Sequence, residues 1–244
     1  MLEPGRPLPR QPGALHPMDA APHEASARYR SDVAALGARL LQMFPRLSAT
    51  GRVVAVQLYR LLARGRPVAP DALARAAGVG RAEVDALLAG WHGVVREGES
   101  VAGFWGLSPQ AITVHAMDVN GVTAYAWCAW DTLFLPGILG TVLHVASRDP
   151  ETGQDVRATV APEGVRSIEP AGAVLSMLEP HPEMMADIRT HFCRNVRFFA
   201  SPRSGAAWTA RHPGTALMTP ADGHALGRVR NAGQFGEALR LPQP

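Results

Sequence analysis

The sequence is most informative at residues 125–134, which read Tyr125-Ala126-Trp127-Cys128-Ala129-Trp130-Asp131-Thr132-Leu133-Phe134. The pattern predicts a strand that ends at Trp127 and a helix over residues 129–139, with Cys128 at the helix N-terminus. Exposed N–H groups at that position favour the thiolate form of a cysteine. Asp131 follows three positions later on the same helical face. A thiolate and an apolar setting are expected to raise the pKa of this carboxyl, so that Asp131 holds a proton that it can deliver.

The second cysteine lies in the segment Thr190-His191-Phe192-Cys193-Arg194-Asn195-Val196-Arg197-Phe198-Phe199. A helix is predicted to give way to an apolar strand here, so that Cys193 can point into a pocket. If both sulfurs converge beside Asp131, the site has two soft ligands and one proton donor. Such a set suits a thiophilic metal ion better than magnesium or calcium, which bind several oxygens.

Three other interpretations of these residues stay open. Each cysteine could be a small core residue, with Asp131 as a helix cap. Zinc would need a fourth ligand from one of nine histidines, and His191, two positions from Cys193, faces the other way on a helix. A redox pair is the third interpretation, although the spacing is not Cys-x-x-Cys and a disulfide leaves Asp131 without a task.

The composition is that of an ordinary soluble globular protein. The chain has 244 residues, 47% of them hydrophobic, and a formal net charge of +3, which is enough for a sizeable core but too little charge for a strong nucleic-acid-binding field. All 24 basic residues are arginine, and the two cysteines fit neither a disulfide framework nor a zinc finger. Without a secretion signal or a run of 18 apolar residues, we expect a cytoplasmic protein with free thiols and no membrane partner.

The chain divides into three predicted parts. Residues 1–26, rich in proline, glycine, arginine and histidine, are expected to be a disordered tail. Residues 27–108 are expected to form a helical module that resembles a winged helix, and residues 109–244 a catalytic domain. The predicted elements of the module are a helix from Ser31 to Pro45, a helix over 49–63, a helix capped by Asp71, a turn at Gly78, a helix over 81–88 and a hairpin over 94–107.

A winged helix raises the question of DNA binding. The exposed face of the second helix of this unit carries Arg81, Glu83 and Asp85, one base against two acids. Recognition helices usually present arginine, lysine, asparagine or glutamine to base edges. We therefore expect a structural packing module and no nucleic-acid partner, with a metal-sensing regulator as an alternative.

Residues 109–244 alternate between strands and short helices without repeats, which favours an α+β fold with a mixed or antiparallel sheet and flanking helices. The helix starts at Ser201-Pro202 and Thr219-Pro220 each place a hydroxyl cap before a proline. The predicted strands are at Ile112 and Val114, Leu143 and Val145, residues 156–160, 174–178 and 196–199, and the predicted helices cover 129–139, 183–192, 202–210 and 221–239.

At these residues the chain resembles organomercurial lyase, also called alkylmercury lyase, the bacterial family of mercury resistance that cleaves carbon–mercury bonds. The resemblance covers about residues 32–231 and includes both family cysteines and the aspartate. The matching segments are 125–136, 169–176, 192–193 and 196–201, with Trp208, the turn His212-Pro213-Gly214 and the link Gly65-Arg66-Pro67-Val68.

The resemblance implies an enzyme that cleaves R–Hg–X by protonolysis to a hydrocarbon R–H and Hg(II), for organomercurial detoxification. One thiolate, from Cys128 or Cys193, attacks mercury and the other coordinates it, while Asp131 takes a thiol proton and gives it to the carbon. Hg(II) then stays on the two sulfurs, with Asp131 as a weaker ligand. Small thiols or mercuric reductase remove it, and no organic cofactor is required.

Trp127 and Trp130 are candidates for an apolar pocket around the organic group, with core packing as the alternative. Tyr125, His115, His144 and His181 are expected to be structural.

Asp149 and Arg194 are departures, since some relatives carry further cysteines at these two positions. A non-catalytic mercury-binding or other soft-metal protein would use the same two thiols without the proton relay, and it remains the alternative to the enzyme.

Overall fold

The computed structural model describes residues 33–244, and the predicted tail over 1–26 lies outside them. The helices are α1 (Val33–Met43), α2 (Ala49–Leu62), α3 (Pro70–Ala77), α4 (Arg81–Gly90), α5 (Asp131–Leu139), α6 (Ile188–His191), α7 (Pro202–Thr209) and α8 (Pro220–Phe235). The strands are β1 (Val94–Glu97), β2 (Ser100–Phe104), β3 (Leu107–Ser108), β4 (His115–Val119), β5 (Val122–Ala126), β6 (Leu143–Arg148), β7 (Asp155–Ala161), β8 (Gly164–Glu169), β9 (Val174–Leu178), β10 (Phe198–Phe199) and β11 (Thr215–Met218). Single 3₁₀ turns cover Pro182–Asp187, Cys193–Asn195 and Gly236–Arg240.

Two antiparallel sheets carry the strands. The larger has the order β1-β2-β3-β5-β4-β6-β7-β8, and the smaller has the order β10-β9-β11. Burial alternates along β6, as expected for a strand with one face on the core. The α+β class is confirmed. The larger sheet runs across the predicted boundary at residue 108, because β3 pairs with β5.

Helix α5 forms the centre of the molecule. All of its residues except Gly137 are buried, so this helix is apolar on every side rather than amphipathic. Helix α8 approaches it closely through glycines, since a Cβ at Gly227 would lie 2.6 Å from Phe134 Cβ. This contact fixes α5, and with it the turn that precedes α5, against the rest of the fold.

The two predicted hydroxyl caps are confirmed. The Ser201 side chain accepts a hydrogen bond from the N–H of Ser204, and the Thr219 side chain accepts one from the N–H of Asp222. The cap predicted at Asp71 is wrong. Helix α3 begins at Pro70, where the fixed φ of proline suits the first helical position, and Asp71 lies inside the first turn.

The strand predicted at Ile112 and Val114 is wrong, because β4 begins only at His115. The Thr113 hydroxyl donates to the carbonyl of Ala126 and accepts from the N–H of His115. These side-chain bonds replace a strand ladder locally. The predicted strand over 196–199 shrinks to Phe198–Phe199, and β8 and β11 were not predicted.

Three predicted helices differ in extent. The helix predicted over 221–239 ends at Phe235, and a 3₁₀ segment follows over Gly236–Arg240. Helix α5 starts at Asp131 rather than residue 129, because the N–H groups of Cys128 and Ala129 bond to the Asp131 carboxylate and to the Val196 carbonyl. The predicted helix over 183–192 is divided into a 3₁₀ turn and α6. The side chain of Asp187 caps α6 by accepting from the N–H of Thr190, which starts a new helix there.

Helices α2 to α4 and the β1–β2 hairpin form the first half of the described chain, and the winged-helix interpretation stays a prediction. Arg81, the base on α4, is 2.9 Å from the Asp71 carboxylate and 2.8 Å from that of Asp85. Its charge is therefore already paired within the protein. Among residues 33–244, no helix has the length and apolar character needed to cross a bilayer.

Candidate functional site

The structure brings together the three residues that the sequence singled out. One ligand atom from each of Cys128, Asp131 and Cys193 lies within 4.8 Å of the others. The exposed fractions are 0% for Cys128, 4% for Asp131 and 3% for Cys193, so the cluster is almost entirely removed from water. Both cysteines are free thiols. Their meeting is a tertiary contact between the β5–α5 turn and the chain after α6.

Local hydrogen bonds hold the turn between β5 and α5. The Asp131 Oδ2 accepts a 2.7 Å hydrogen bond from the N–H of Cys128. The Thr132 hydroxyl donates to the carbonyl of Ala129 at 2.7 Å. The N–H of Ala129 donates to the carbonyl of Val196 at 3.1 Å, which ties this turn directly to the segment of Cys193.

Ser176 on β9 fixes the other half of the site. Its hydroxyl donates to the carbonyl of Asn195 at 2.8 Å and accepts from the N–H of Arg197 at 3.0 Å. These two bonds hold the chain that follows Cys193 against the smaller sheet. Sequence reasoning matched Ser176 only as part of a family segment and did not assign it this task.

Gly106 forms a wall of the site that the sequence analysis missed. Its φ is +103°, and a Cβ at this position would lie 2.5 Å from the Asp131 Oδ1. A glycine is therefore required both for the backbone conformation and for the close approach of the carboxyl. The carbonyl of Gly106 also accepts from the N–H of Trp127 at 3.0 Å. Because this contact joins β2–β3 to α5, no local sequence signal reveals it.

Burial dominates the proton affinities of the cluster. It raises the pKa of Cys128 well above the usual value. A hydrogen bond from Cys128 lowers the pKa of Cys193, but burial and the charge of Asp131 outweigh it and leave that pKa raised. The predicted stabilisation of a Cys128 thiolate by the helix terminus is therefore wrong. Cys128 precedes the first helical residue by three positions, and desolvation is the larger effect.

The predicted upward shift of the Asp131 pKa is confirmed with burial as its cause, whereas the predicted contribution of a neighbouring thiolate is not. Burial raises its pKa to about 7, while hydrogen bonds from the thiol and N–H of Cys128 and the charge of Arg230 lower it in part. Arg230 is itself fully buried. Its guanidinium lies 4.6 Å from the ring centres of Phe44 and Phe134. Asp131 can therefore gain or lose a proton near neutral pH.

A cavity of about 850 Å³ gives access to the cluster, and Cys193 and Trp127 lie on its wall. The guanidinium of Arg189 lies 5.6 Å from the Trp127 ring centre. Trp130, the other tryptophan predicted for the pocket, packs in the core: its indole N–H donates to the carbonyl of Gly223 at 2.9 Å. Its ring contacts Phe134 edge-on.

The other residues noted in the sequence lie outside the cluster. His115 is fully buried, and its Nδ1 is 2.8 Å from the Ser147 hydroxyl. Asp149 is buried as well, and its carboxylate accepts from the N–H groups of Ala200 and Glu151. His144 lies exposed on β6, and His181 precedes the 3₁₀ turn. His115 and Asp149 are thus held by hydrogen bonds in the core, whereas His144 and His181 lie at the surface.

The donor set of the cluster discriminates between the metals considered. Two sulfurs and one carboxylate suit a soft ion. Among residues 33–244 the cluster contains no histidine that would complete a four-ligand zinc site. Two sulfurs meeting at one buried point can hold an ion with a strong preference for thiolates, next to a carboxyl that exchanges protons.

Comparison with known proteins agrees with this chemistry. A family profile described as alkylmercury lyase matches residues 109–230. An alkylmercury lyase of Streptomyces lividans is 42% identical over 172 residues, which cover 70% of this chain and 78% of that protein. The chain belongs to the alkylmercury lyase family. A second alkylmercury lyase, from Pseudomonas putida, is 38% identical over 174 residues and is covered to 81% of its length.

A solved structure shares the fold. The crystal structure of the mercury-bound form of MerB2 superposes with a TM-score of 0.66 at 23% identity, and the match covers 86% of this chain and 99% of that one. The alkylmercury lyase fold therefore extends through most of the chain, including the helical first half that the family profile does not reach.

Proposed function

We propose that the chain cleaves the carbon–mercury bond of organomercurials R–Hg–X, with Cys128, Cys193 and Asp131 as the reacting groups. The observation that carries the proposal is the meeting of two thiols and one carboxyl within 4.8 Å of each other in a buried cluster. Mercury is a soft ion that prefers thiolate ligands, and here it is the substrate's own metal. The carboxyl supplies the proton that the leaving carbon needs.

Cys193 is the sulfur that the substrate reaches first, because it lies on the cavity wall while Cys128 is fully buried. A bond forms between the Cys193 sulfur and mercury, and the thiol proton leaves with the displaced ligand as HX. Mercury remains in the +2 state. The organic group now faces the second thiol and the carboxyl.

Asp131 acts as the proton relay between Cys128 and the carbon. Its hydrogen bond with the Cys128 thiol and its pKa of about 7 suit a group that first accepts and then donates a proton. As the Cys128 sulfur bonds mercury, its proton passes to Asp131 and then to the carbon. The Hg–C bond breaks and R–H leaves, while Hg(II) stays between the two sulfurs.

Release of Hg(II) requires external thiols, either small molecules or the cysteines of mercuric reductase. The position of Cys193 supports this route. It is the sulfur of the cluster that lies on the cavity wall, so an external thiol can reach mercury there. The protein needs no organic cofactor for these steps. Because both cysteines must stay reduced, we place the protein in the cytoplasm.

Methane release from methylmercury tests the proposal. The protein is incubated with methylmercury and excess thiol, and methane in the headspace is measured against a thiol-only control. We expect Asp131→Asn to lower the rate by about 10²–10⁴-fold, the usual loss for a general acid, while Hg(II) binding by both sulfurs persists. Cys128→Ser and Cys193→Ser should abolish methane and weaken Hg(II) binding.

Asp118→Asn is the matched control. Asp118 lies near the end of β4, just before the turn to β5. Its Oδ1 accepts a hydrogen bond from the N–H of Gly121, and an asparagine oxygen can accept the same bond. This variant should produce methane at the wild-type rate. Stoichiometric Hg(II) binding without methane from the wild type would replace the enzyme by the non-catalytic mercury-binding alternative.

A further inference from the structure

The cavity that reaches Cys193 is strongly basic. Arg189, Arg194 and Arg197 lie on its wall, and Asp187 is the one acidic residue among its lining residues. With three positive charges and one negative charge, the lining carries a formal net charge of +2. An apolar organomercurial alone has no use for such a wall, because the organic group carries no charge.

The three guanidinium groups are not neutralised by ion pairs within the described chain. Among residues 33–244, every carboxylate within 4.0 Å of an arginine belongs to a pair elsewhere on the molecule. Arg197 donates through Nε only to the carbonyl of Arg194. Asp187 caps α6 and interacts electrostatically with Arg189 without an ion-pair contact, which leaves Arg194 and Arg197 without an acidic partner among the described residues. The charge of the cluster is therefore available to a ligand.

The three arginines lie near the sulfur of Cys193. Arg189 and Arg197 act electrostatically on the Cys193 thiol, and Arg194 is the next residue along the chain. Any molecule that delivers mercury to Cys193, or removes it, enters this cavity. In a thiol-containing solution that molecule bears a sulfur atom bonded to mercury or about to bond it.

We propose that Arg189, Arg194 and Arg197 form a subsite for the carboxylate of a thiol that carries mercury to or from Cys193. Guanidinium groups bind carboxylates with paired, charge-assisted hydrogen bonds. The inference rests on the proposed mercury site. In the exchange, an incoming thiol forms a bond from its sulfur to mercury, the Cys193–mercury bond breaks, and the thiol proton moves to Cys193. Mercury stays in the +2 state.

Thiols of similar size and different charge test the subsite. The protein is loaded with one equivalent of HgCl₂ and mixed with 3-mercaptopropionate, 2-mercaptoethanol or cysteamine, which carry a negative, no and a positive charge. The rate of mercury loss is measured by mercury content after rapid desalting. Dividing each variant's rate by the wild-type rate for the same thiol removes the intrinsic reactivity of that thiol.

We expect Arg194→Gln and Arg197→Gln each to slow extraction by 3-mercaptopropionate roughly threefold or more, as a single charge at several ångströms predicts. Extraction by 2-mercaptoethanol should stay the same, and extraction by cysteamine should become faster. The differences should shrink in about 1 M salt. Delivery is measured in the same way, from methane formed out of methylmercury complexed with each thiol.

Arg75→Gln is the control of equal charge change, because Arg75 lies exposed on α3 and away from the cavity. The inference is overturned if Arg194→Gln and Arg197→Gln slow extraction equally with all three thiols, or leave every extraction rate unchanged. Charge-dependent extraction without methane leaves the subsite standing and removes the proposed enzyme. If methane forms but extraction and delivery do not depend on the charge of the thiol, the proposed enzyme stands and the subsite is overturned. A protein that retains no Hg(II) contradicts both proposals.

Discussion

A buried carboxyl and two buried thiols hold their protons more tightly in this protein than they would in water. Burial raises the pKa of each, so both cysteines are neutral thiols and Asp131 titrates at about 7. A carboxyl with an ordinary pKa would be a poor proton donor at neutral pH. The apolar surroundings thus serve the proposed chemistry as well as the fold, since they keep a proton next to the two sulfurs at which we propose that the carbon–mercury bond is cleaved.

His115 is the residue whose burial should make stability depend on acid. Burial, with the charge of Arg197, lowers its pKa to about 3, so the folded protein keeps it neutral while the unfolded chain protonates it below about pH 6.5. Stability from this residue is present above pH 6.5 and is lost as the pH falls toward 3. At pH 5 the contribution of His115 should be about 2 kcal/mol less favourable than at pH 7. The raised pKa of Asp131 acts in the opposite direction over the same range, so the effect of His115 shows as a difference between variants.

Urea denaturation at pH 7 and pH 5 measures this effect. His115→Gln can keep a hydrogen bond to Ser147, and its loss of stability between the two pH values should be smaller than that of the wild type by about 2 kcal/mol. His144→Gln, on the exposed side of β6, should retain the wild-type difference. Identical pH dependence in His115→Gln and the wild type would show that this histidine does not cause the acid sensitivity.

At the scale of elements, the contact between α5 and α8 positions the site. The carboxyl at the start of α5 can meet Cys193 only if α5 lies deep in the core, and α8 covers α5 through glycines. A Cβ at Gly227 would lie 2.6 Å from the Cβ and 3.0 Å from the Cα of Phe134. A flexible side chain could move away from an added methyl group, but the backbone of α5 cannot.

Gly227→Ala should therefore reduce the free energy of unfolding by about 1–3 kcal/mol, the usual cost of overpacking. Gly90→Ala is the comparison within a helix, because nothing lies within 4 Å of a Cβ at that position of α4. There the substitution should raise stability by about 0.5–1 kcal/mol, since alanine favours a helix over glycine. Urea denaturation measures the free energy of unfolding of both variants. Changes of the same sign in Gly227→Ala and Gly90→Ala would contradict the packing argument.

At the scale of the whole molecule, Arg60 on α2 fastens the C-terminal segment to the core. Its side chain is 5% exposed. It donates to the carbonyls of Ile138 at 3.3 Å, Leu239 at 3.0 Å, Leu241 at 2.8 Å and Pro242 at 3.0 Å. One guanidinium thus binds backbone carbonyls at the end of α5 and in the C-terminal segment together.

Arg60→Met should lower the free energy of unfolding by about 2–4 kcal/mol, because buried carbonyls lose a charged donor. Arg75→Met, exposed on α3, should change it by less than about 0.5 kcal/mol. Deletion of residues 239–244 should destabilise the protein in the same way as Arg60→Met, and the two changes combined should be less than additive. Additive losses in urea denaturation would show that Arg60 and the C-terminal segment act independently.

The larger sheet is continuous from β1 in the first half of the chain to β8 in the second. Gly106, which belongs to the predicted helical module, lies against the carboxyl of Asp131. The hydroxyl of Tyr59 donates a 2.8 Å hydrogen bond to the carbonyl of the preceding residue, Trp105. The first half therefore contributes to the geometry of the site through Gly106.

The sequence by itself determined the α+β class and the caps at Ser201 and Thr219, which follow from local periodicity and from short-range hydroxyl bonds. Residue chemistry made Cys128, Asp131 and Cys193 candidates, and the family resemblance selected them from the alternatives. The sequence also indicated the raised pKa of Asp131, because an acid three positions from a cysteine among tryptophans is expected to be desolvated.

Only the tertiary structure decided that the two sulfurs meet, that Gly106 makes room for the carboxyl, and that Trp130 packs in the core while Trp127 lines the cavity. It also decided that Cys128 is a neutral thiol, against the local expectation from the helix terminus. Burial and contacts between distant segments set these properties, and the free energy of desolvation depends on the whole surroundings of a group rather than on its neighbours in sequence.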